Sequence, residues 1–298
     1  MSISIRSSGA PFWRVFILSF ALLGVVMPKE AGAIETQTAQ QESRYKDLKV
    51  LADRGDSDAQ LKLAIMLLSG EVKQNNNAEQ NYIEAASWLR KAAEQGNQGA
   101  AATLGGMYIK EVNPQKDNDQ NVALIRKSAE AGNHITQFAL GSMYDLGNGV
   151  PKDPEEAVIW MKKSADQAFP PAESFMGLSY AQGTGVKRDI QQALLWTRKA
   201  ALHGEATAQA ELGKRYMVGD GVEKDDKKSV YWLQKAADQG DADAMAGLGV
   251  MYSVGAGVPL DKQRAVEWFR KAASRGNEWS KQYINKPPSV EDWQMKRG

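Results

Sequence analysis

Apolar and small residues recur along the chain at helical spacing, in short segments separated by glycine-rich turns. The segment from Asp243 to Ser253 carries Ala244, Leu248 and Tyr252 at positions i, i+4 and i+8, which places these three residues on one face of a helix. The same spacing returns in the neighbouring segments. The pattern therefore predicts an all-α chain of short amphipathic helices.

The turns between the helices have a repeated sequence. G-x-G-V begins at positions 147, 183, 219 and 255, and an aspartate follows each of these positions six residues later. Glycine supplies the positive φ that ends a helix, and aspartate is a preferred N-cap for the next one. Asp117 and, in the first repeat, Asn81 are expected to be N-caps of their second helices in the same way. A second helix follows, as in Ala157, Trp160 and Ala165, again at helical spacing.

A period of 36 residues organises these helix pairs into a tandem array. The stretch AAEQG at residue 92 has counterparts at residues 128, 164, 200, 236 and 272, and an earlier copy, LADRG, begins at residue 51. Lysine, tryptophan and tyrosine keep the same register, with Leu124 in place of one tryptophan. One helix pair cannot bury its apolar face alone, so successive units must stack. The sequence predicts six helix–turn–helix repeats of about 36 residues over 51–284, with a half-repeat cap at each end.

Residues 1–33 differ from the repeats and have the order of a secretory signal peptide. Arg6 and Arg14 supply positive charge, residues 15–26 are almost wholly apolar, and the A-x-A pattern ending at Ala33 suits a signal peptidase. We therefore expect cleavage after Ala33 and a periplasmic or secreted protein without stable membrane insertion. An uncleaved signal anchor is the alternative.

Two further segments lie outside the repeats. Residues 34–50 are expected to form a flexible leader followed by a capping helix, because 34–44 are polar and lack hydrophobic periodicity. Residues 285–298, which open with two prolines after Asn285 and Lys286, are expected to leave the repeats as a tail.

The repeated motifs resemble the Sel-one-like repeat family, a branch of the helical-repeat class related to tetratricopeptide repeats. The matching features are an A-x-x-G opening, an L-G-x-x-Y first helix, the G-x-G-V turn and an A-x-x-W-x-x-K-A-A second helix, over about residues 51–284. The resemblance implies a right-handed α-solenoid that binds another protein. Residues 110–113 lack the turn glycines, and Ala168, Pro170 and Pro171 replace a usual opening, so local changes in packing are expected there.

Composition removes several functional classes. The formal net charge is +1, so no general field attracts nucleic acid. The absence of cysteine excludes disulfides, thiolate zinc sites and cysteine nucleophiles. His134 and His203 occupy different positions in their repeats and are expected to be solvated, not metal-bound. The G-x-G-V turns lack the preceding strand that a dinucleotide site needs. No catalytic, cofactor-binding or metal-ligating residue is expected.

Partner binding is expected on a concave face lined by the first helices. At 100° per residue, one set of first-helix positions points away from the core stripe and changes identity from repeat to repeat. The candidate contacts are Leu61, Ile65, Phe138, Ser142, Leu178, Lys214, Met217 and Val250. The alternative is that individual positions pack against the neighbouring first helix. The recurrent lysines are expected on the solvated convex side, next to helix carboxy-termini.

Three classes of function remain open. The first is a scaffold or regulator in the bacterial envelope whose partner is a sensor or a cell-wall enzyme. The second is a secreted effector that contacts host proteins. The third is an enzyme or glycan binder that acts on the cell wall, and the absence of a catalytic constellation counts against it. An exported, non-catalytic protein-binding scaffold is the prediction.

Overall fold

The computed structural model describes residues 31–71, 78–109 and 118–284, with side chains described from residue 40 onwards. Over these ranges it contains fourteen α-helices and no strand. The predicted all-α fold of helix–turn–helix repeats is therefore confirmed. The chain divides into two compact units, Met1–Lys152 and Asp153–Gly298.

The helices alternate between the first and the second helix of successive repeats. The first unit contains α1 (Ala31–Asp53), α2 (Ser57–Ser69), α3 (Ala78–Glu94), α4 (Gln98–Ile109), α5 (Asn118–Glu130) and α6 (His134–Leu146). The second unit contains α7 (Pro154–Ala165), α8 (Pro170–Gln182), α9 (Ile190–Leu202), α10 (Ala206–Val218), α11 (Asp226–Asp238), α12 (Ala242–Val254), α13 (Lys262–Ser274) and α14 (Glu278–Lys281). Even-numbered helices are first helices, and α1 and α14 are the two half-repeats.

The ends of these helices follow from the predicted caps. The four aspartates after the G-x-G-V turns are the N-caps of α7, α9, α11 and α13, and each carboxylate accepts a hydrogen bond from a backbone N–H of the first turn. The glycine that opens each turn has a left-handed φ of 69° to 79°. Both roles predicted from the turn sequence are confirmed.

The first unit departs from this register at Asn81, which the sequence predicted to be an N-cap. α3 begins at Ala78 instead, and Asn81 lies inside the helix with a buried side chain. The prediction is wrong because Ala78, Glu79 and Gln80 favour helix and extend α3 by almost one turn. Asp117, the other predicted cap of this unit, lies outside the described residues.

Small residues allow the helices to approach closely, as predicted. In the first unit a Cβ on Gly105 would lie 2.6 Å from the Cβ of Ala139. In the second unit a Cβ on Gly249 would lie 2.6 Å from a ring carbon of Phe269. Both distances are shorter than any van der Waals contact, so only glycine fits between these packed helices.

The recurrent lysines lie in the last turns of the second helices, as expected, and five of them also contact a tryptophan ring. The ammonium nitrogen of Lys199 lies 4.0 Å from the ring centroid of Trp196, and that of Lys163 lies 3.8 Å from the centroid of Trp160. The same pairing occurs at Lys91, Lys235 and Lys271. The three-residue spacing places both side chains on one side of the helix, where the cation contacts the electron-rich ring face.

A hydrogen-bond ladder links successive repeats. In the second unit the amide of Gln239 donates to Gln209 Oε1 at 2.9 Å, and the amide of Gln209 donates to the carbonyl of Ala201 at 3.0 Å. In the first unit Gln95 and Gln60 make the equivalent pair at 2.9 Å. Because these side chains satisfy one another and a helix carboxy-terminus, their burial costs little.

The segments outside the repeats are only partly described. Residues 34–44, for which the sequence predicted a flexible leader, lie in α1 and are helical. Their glutamine and glutamate residues have good helix propensity, although the segment lacks an apolar stripe. The proposed signal peptide lies almost entirely, and the tail at 285–298 entirely, outside the described residues, so the domain boundaries remain predictions.

Candidate functional site

The four predicted contact residues of the first unit are in different environments. Ile65 is exposed by 46% on α2, whereas Leu61 is half-buried and its Cδ2 lies 3.0 Å from where a Cβ on Gly99 would be. Phe138 is half-buried, and Ser142 is buried with its hydroxyl donating to the carbonyl of Phe138 at 2.9 Å. Ser142 is therefore not available to a partner, because it lies within the packed layer of the first helices.

Three of the four predicted residues of the second unit line one groove between α10 and α12. The groove has a volume of about 410 Å³, which lies within the usual range of ligand-binding pockets. Its lining residues are Glu211, Lys214, Arg215, Met217, Val218, Asp220, Asp243, Ala246, Gly247, Val250, Asn277 and Trp279. The predicted Lys214, Met217 and Val250 are thus brought together, while Leu178 is 38% exposed on α8 and does not line the groove.

The apolar part of the groove comes from both helices and from α14. Met217 lies on the α10 side, Ala246 and Val250 lie on α12, and Trp279 lies on α14. Val250 is only 4% exposed, so it forms the bottom of the groove and not a protruding contact as the sequence suggested. Such a surface can take up an aliphatic or aromatic side chain because both surfaces lose water on contact.

A polar chain crosses the groove. The ammonium of Lys214 on α10 lies 3.2 Å from Asp243 Oδ2 on α12, and the amide of Asn277 donates to Asp243 Oδ1 at 2.8 Å. Asn277 is the N-cap of α14, where its own Oδ1 accepts from the backbone N–H of Ser280. The three side chains therefore link α10, α12 and α14.

Arg215 supplies the second charged cluster. Its side chain is 8% exposed, and the guanidinium lies 2.9 Å from Glu211 Oε1 and 3.0 Å from Asp220 Oδ2. Glu211 and Asp220 are far more exposed, at 44% and 58%. The charged atoms most accessible at the groove are therefore carboxylate oxygens, and these favour a partner that brings hydrogen-bond donors.

Trp279 was not among the predicted contacts. Its ring packs against Phe269 at 5.7 Å and against Tyr283 at 4.5 Å between centroids, which closes the last repeat with an aromatic cluster. A signal was present in the sequence, because Trp279 falls 36 residues after Asp243 and outside the recurrent tryptophan register.

His203 is not simply solvated, as the sequence suggested. Its Nδ1 lies 2.7 Å from Oε2 of Glu173, whose side chain is 2% exposed. Glu173 occupies the position of Gln209 in the next repeat, and His203 that of Gln239, so the pair is a variant of the glutamine ladder. Within the described ranges no group of three or more histidine, cysteine, aspartate or glutamate residues could hold a metal.

Within residues 31–71, 78–109 and 118–284, no helix combines the length and the apolar character that crossing a bilayer requires.

The fold and the turn chemistry define an α-helical repeat protein. The family model of the Sel1 repeat matches residues 57–97, 134–169, 170–205, 206–241 and 242–277. These matches cover more than half of the chain, so the protein belongs to the Sel1 repeat family. No curated protein matches the sequence.

Two solved structures are similar over most of the chain. The first is c5321, a protective antigen present in uropathogenic Escherichia coli strains, with 35% identity, a TM-score of 0.67 and 80% of this chain covered. The match spans only 50% of c5321. The second is a Sel1 repeat protein from Oxalobacter formigenes, with 27% identity, a TM-score of 0.61, and 91% of this chain and 99% of that chain covered.

Proposed function

We propose that this chain is an exported, non-catalytic scaffold that binds a partner protein through the groove between α10 and α12. The observation that carries the proposal is the convergence of Lys214, Met217 and Trp279 on one apolar groove, which a single ion pair between Lys214 and Asp243 crosses. Binding sites of this kind combine an apolar floor with a few polar groups that fix orientation.

The charged groups of the groove favour binding over catalysis. Lys214 is paired with Asp243, and Arg215 is paired with Glu211 and Asp220. A general acid or base must instead be free to exchange a proton with a substrate. Paired charges serve to position a partner and to reject wrong ones. No cofactor is needed for this role.

The chemistry of the groove describes the part of the partner that enters it. One aliphatic or aromatic side chain would cover Met217, Ala246 and Val250. Lysine, arginine or backbone N–H groups would donate to the exposed carboxylates of Glu211 and Asp220. A partner segment with an apolar anchor next to a basic residue meets both requirements, whereas an acidic segment does not.

The bacterial envelope is the proposed location, with an envelope sensor or a cell-wall enzyme as the partner. The support is the predicted signal peptide at 1–33 and the predicted cleavage after Ala33. Export into the periplasm brings a protein-binding repeat domain next to both kinds of partner.

A secreted or surface-exposed protein that contacts host proteins is the second candidate. It is favoured by the similarity to c5321, which is described as a protective antigen. Both candidates use the same groove, and the compartment and the identity of the partner distinguish them.

Capture from the envelope fraction with groove variants tests the proposal. Met217→Asp places a charge on the apolar floor, and Asp220→Lys replaces an exposed carboxylate that is proposed to accept from the partner's basic residue. Each variant should lose, by at least about 10-fold, a protein that the unsubstituted chain retains, because hot-spot contacts lie at the centre of such surfaces. The bound proteins are identified by mass spectrometry.

Leu260→Asp is the matched control, since Leu260 is 61% exposed and does not line the groove. It should retain the partner in full. Circular dichroism and the midpoint of thermal unfolding must be unchanged in every variant used. Equal capture by the Met217→Asp and Leu260→Asp variants would show that the groove is not the binding site.

A further inference from the structure

The second helices of the second unit carry a regular exposed face that no described element covers. Helices α7, α9 and α11 each contribute four residues at spacing i, i+4, i+7 and i+11, which share one side of a helix. We call this set the outer face. Its rows are Glu155, Gln191 and Lys227; Ile159, Leu195 and Tyr231; Lys162, Arg198 and Gln234; and Asp166, Leu202 and Asp238.

The outer face has an apolar centre. Ile159, Leu195 and Tyr231 are exposed by 49%, 46% and 52%, and they occupy the same position in three consecutive repeats. Leu202 on α9 is exposed by 72% and extends the apolar surface along the central helix. A cluster of large exposed apolar side chains in fixed register is characteristic of an interaction surface.

The apolar row stops on both sides of these three helices. The corresponding residue of α13 is Glu267, and in α3 and α5 it is Ser87 and Ala123. The row is therefore confined to three neighbouring helices and is centred on Leu195 of α9. It is not a general feature of the repeat.

The first row carries a charge gradient. Glu155 on α7, Gln191 on α9 and Lys227 on α11 are acidic, neutral and basic at the same position of the repeat. Neither Glu155 nor Lys227 has an ion-pair partner within the described part of the chain. Lys227 also lies in the first turn of α11, where the helix dipole disfavours a cation. A carboxylate of another molecule, placed next to Lys227, would offset this unfavourable interaction with the helix dipole.

We propose that the outer face binds a second copy of the same chain across a two-fold axis that lies parallel to α9. Rotation about this axis exchanges α7 with α11 and keeps the helix direction. Glu155 of one copy then faces Lys227 of the other, Ile159 faces Tyr231, and Leu195 faces itself. A two-fold interface requires such self-complementarity. The first row, which is acidic on one flank, neutral at the centre and basic on the other, and the apolar second row provide it.

Like charges meet at three places in this arrangement: Arg198 meets its own copy at the axis, and on each flank Asp166 of one copy faces Asp238 of the other. Cations lie beside these carboxylates, because Lys162 pairs with Asp166 of its own chain at 2.6 Å and the two Arg198 side chains lie between the flanks. Leu202 of each copy meets at the axis next to them, where its exposed side chain becomes buried.

Sedimentation velocity of the purified protein over a range of concentrations tests the proposal. The unsubstituted chain should show a monomer–dimer equilibrium. Leu195→Glu should raise the dissociation constant of the dimer by at least about 100-fold, because the two introduced carboxylates face each other across the axis. Leu260→Glu, which also adds a charge at an exposed leucine, should leave the dissociation constant unchanged.

Charge reversal tests the two-fold geometry itself. Glu155→Lys and Lys227→Glu should each weaken the dimer by about 10-fold, because each disrupts two symmetry-related pairs. An equimolar mixture of the two variants should recover the original affinity, since both pairs of the mixed dimer join a lysine to a glutamate. Rescue upon mixing cannot arise within one chain.

Three results would overturn the proposal: a monomer at every concentration, a dimer that the Leu195→Glu variant retains, or single charge variants that mixing does not rescue. The last of these would mean that the copies meet in a different orientation. The test requires no other partner, so its outcome is independent of the capture experiment on the α10–α12 groove.

Discussion

The second glycine of the G-x-G-V turn is expected to set how closely one repeat can approach the preceding one. Gly257 and Gly221 occupy the same position in consecutive turns, and each has a φ of 70°. A Cβ on Gly257 would overlap the carbonyl group of Asp226, the first residue of α11. A Cβ on Gly221 would meet only side-chain atoms, those of Ile190, Arg215 and Leu194, at ordinary distances of 3.4, 3.8 and 3.9 Å.

The two alanine substitutions should therefore have different costs. Gly221→Ala carries only the penalty of a positive φ, about 1 kcal/mol of the free energy of unfolding. Gly257→Ala carries this penalty and a steric overlap with the backbone, which cannot be relieved by a side-chain rotation. Overpacking adds about 1–3 kcal/mol, so the total is about 2–4 kcal/mol.

Urea-induced unfolding followed by circular dichroism measures both values. The comparison is valid if the denaturant slope stays constant between the variants. Equal losses for Gly221→Ala and Gly257→Ala would refute the reasoning, because they would show that the turn glycines are required only for their backbone conformation.

Three further predictions concern single positions of the second unit. Ala168 has a φ of 60° at a position where other repeats have glycine, so Ala168→Gly should raise the free energy of unfolding by about 1 kcal/mol. Gly204→Ala, at the equivalent and sterically open position of the next repeat, should lower it by about as much. Thermal unfolding measures both changes. His203→Ala should lower the free energy of unfolding by about 1–3 kcal/mol, because it removes the hydrogen-bond donor to buried Glu173. The double variant Glu173→Gln, His203→Gln should recover most of this loss, because it recreates the amide pair of the next repeat. A double variant as unstable as His203→Ala would contradict this expectation. Burial raises the pKa of the N-cap Asp241, so Asp241→Asn should stabilise the protein at pH 7. This advantage should shrink as the pH falls through the raised pKa of the native carboxyl, because the protonated aspartate carries no buried charge. An advantage that does not change with pH would exclude the charge as its cause.

The helices and their ends could be predicted because their determinants are local. An aspartate that accepts from the first turn and a glycine that ends a helix act within a few residues, and the 36-residue period averages the signal over many copies. Asn81 shows the limit of this reasoning. Its register matched the other caps, but the preceding residues favour helix, so α3 begins earlier.

The groove could be predicted only in part, because a helical wheel does not show how much of each helix its neighbour covers. Of the positions that it selected, Lys214 and Met217 line the groove, whereas Ser142 lies in the packed layer. Trp279 could not be selected from the wheel of a full repeat, since α14 is a half-repeat whose ring turns toward Phe269.

The pairing of Glu173 with His203 depends on the stacking of two repeats. The two residues are 30 positions apart and neither forms a motif alone. Comparison with Gln209 and Gln239 would have revealed the pair, because the same two positions hold glutamines that are hydrogen-bonded to each other.

Photo-crosslinking in living cells tests most directly the claim that the groove between α10 and α12 binds a partner protein. A photoreactive phenylalanine analogue at position 217 should form an adduct with one envelope or host protein, and Asp220→Lys should abolish that adduct. The same analogue at position 260 should not form it. An adduct that is equally strong from both positions, or none from position 217 while the protein is folded and exported, would contradict the account.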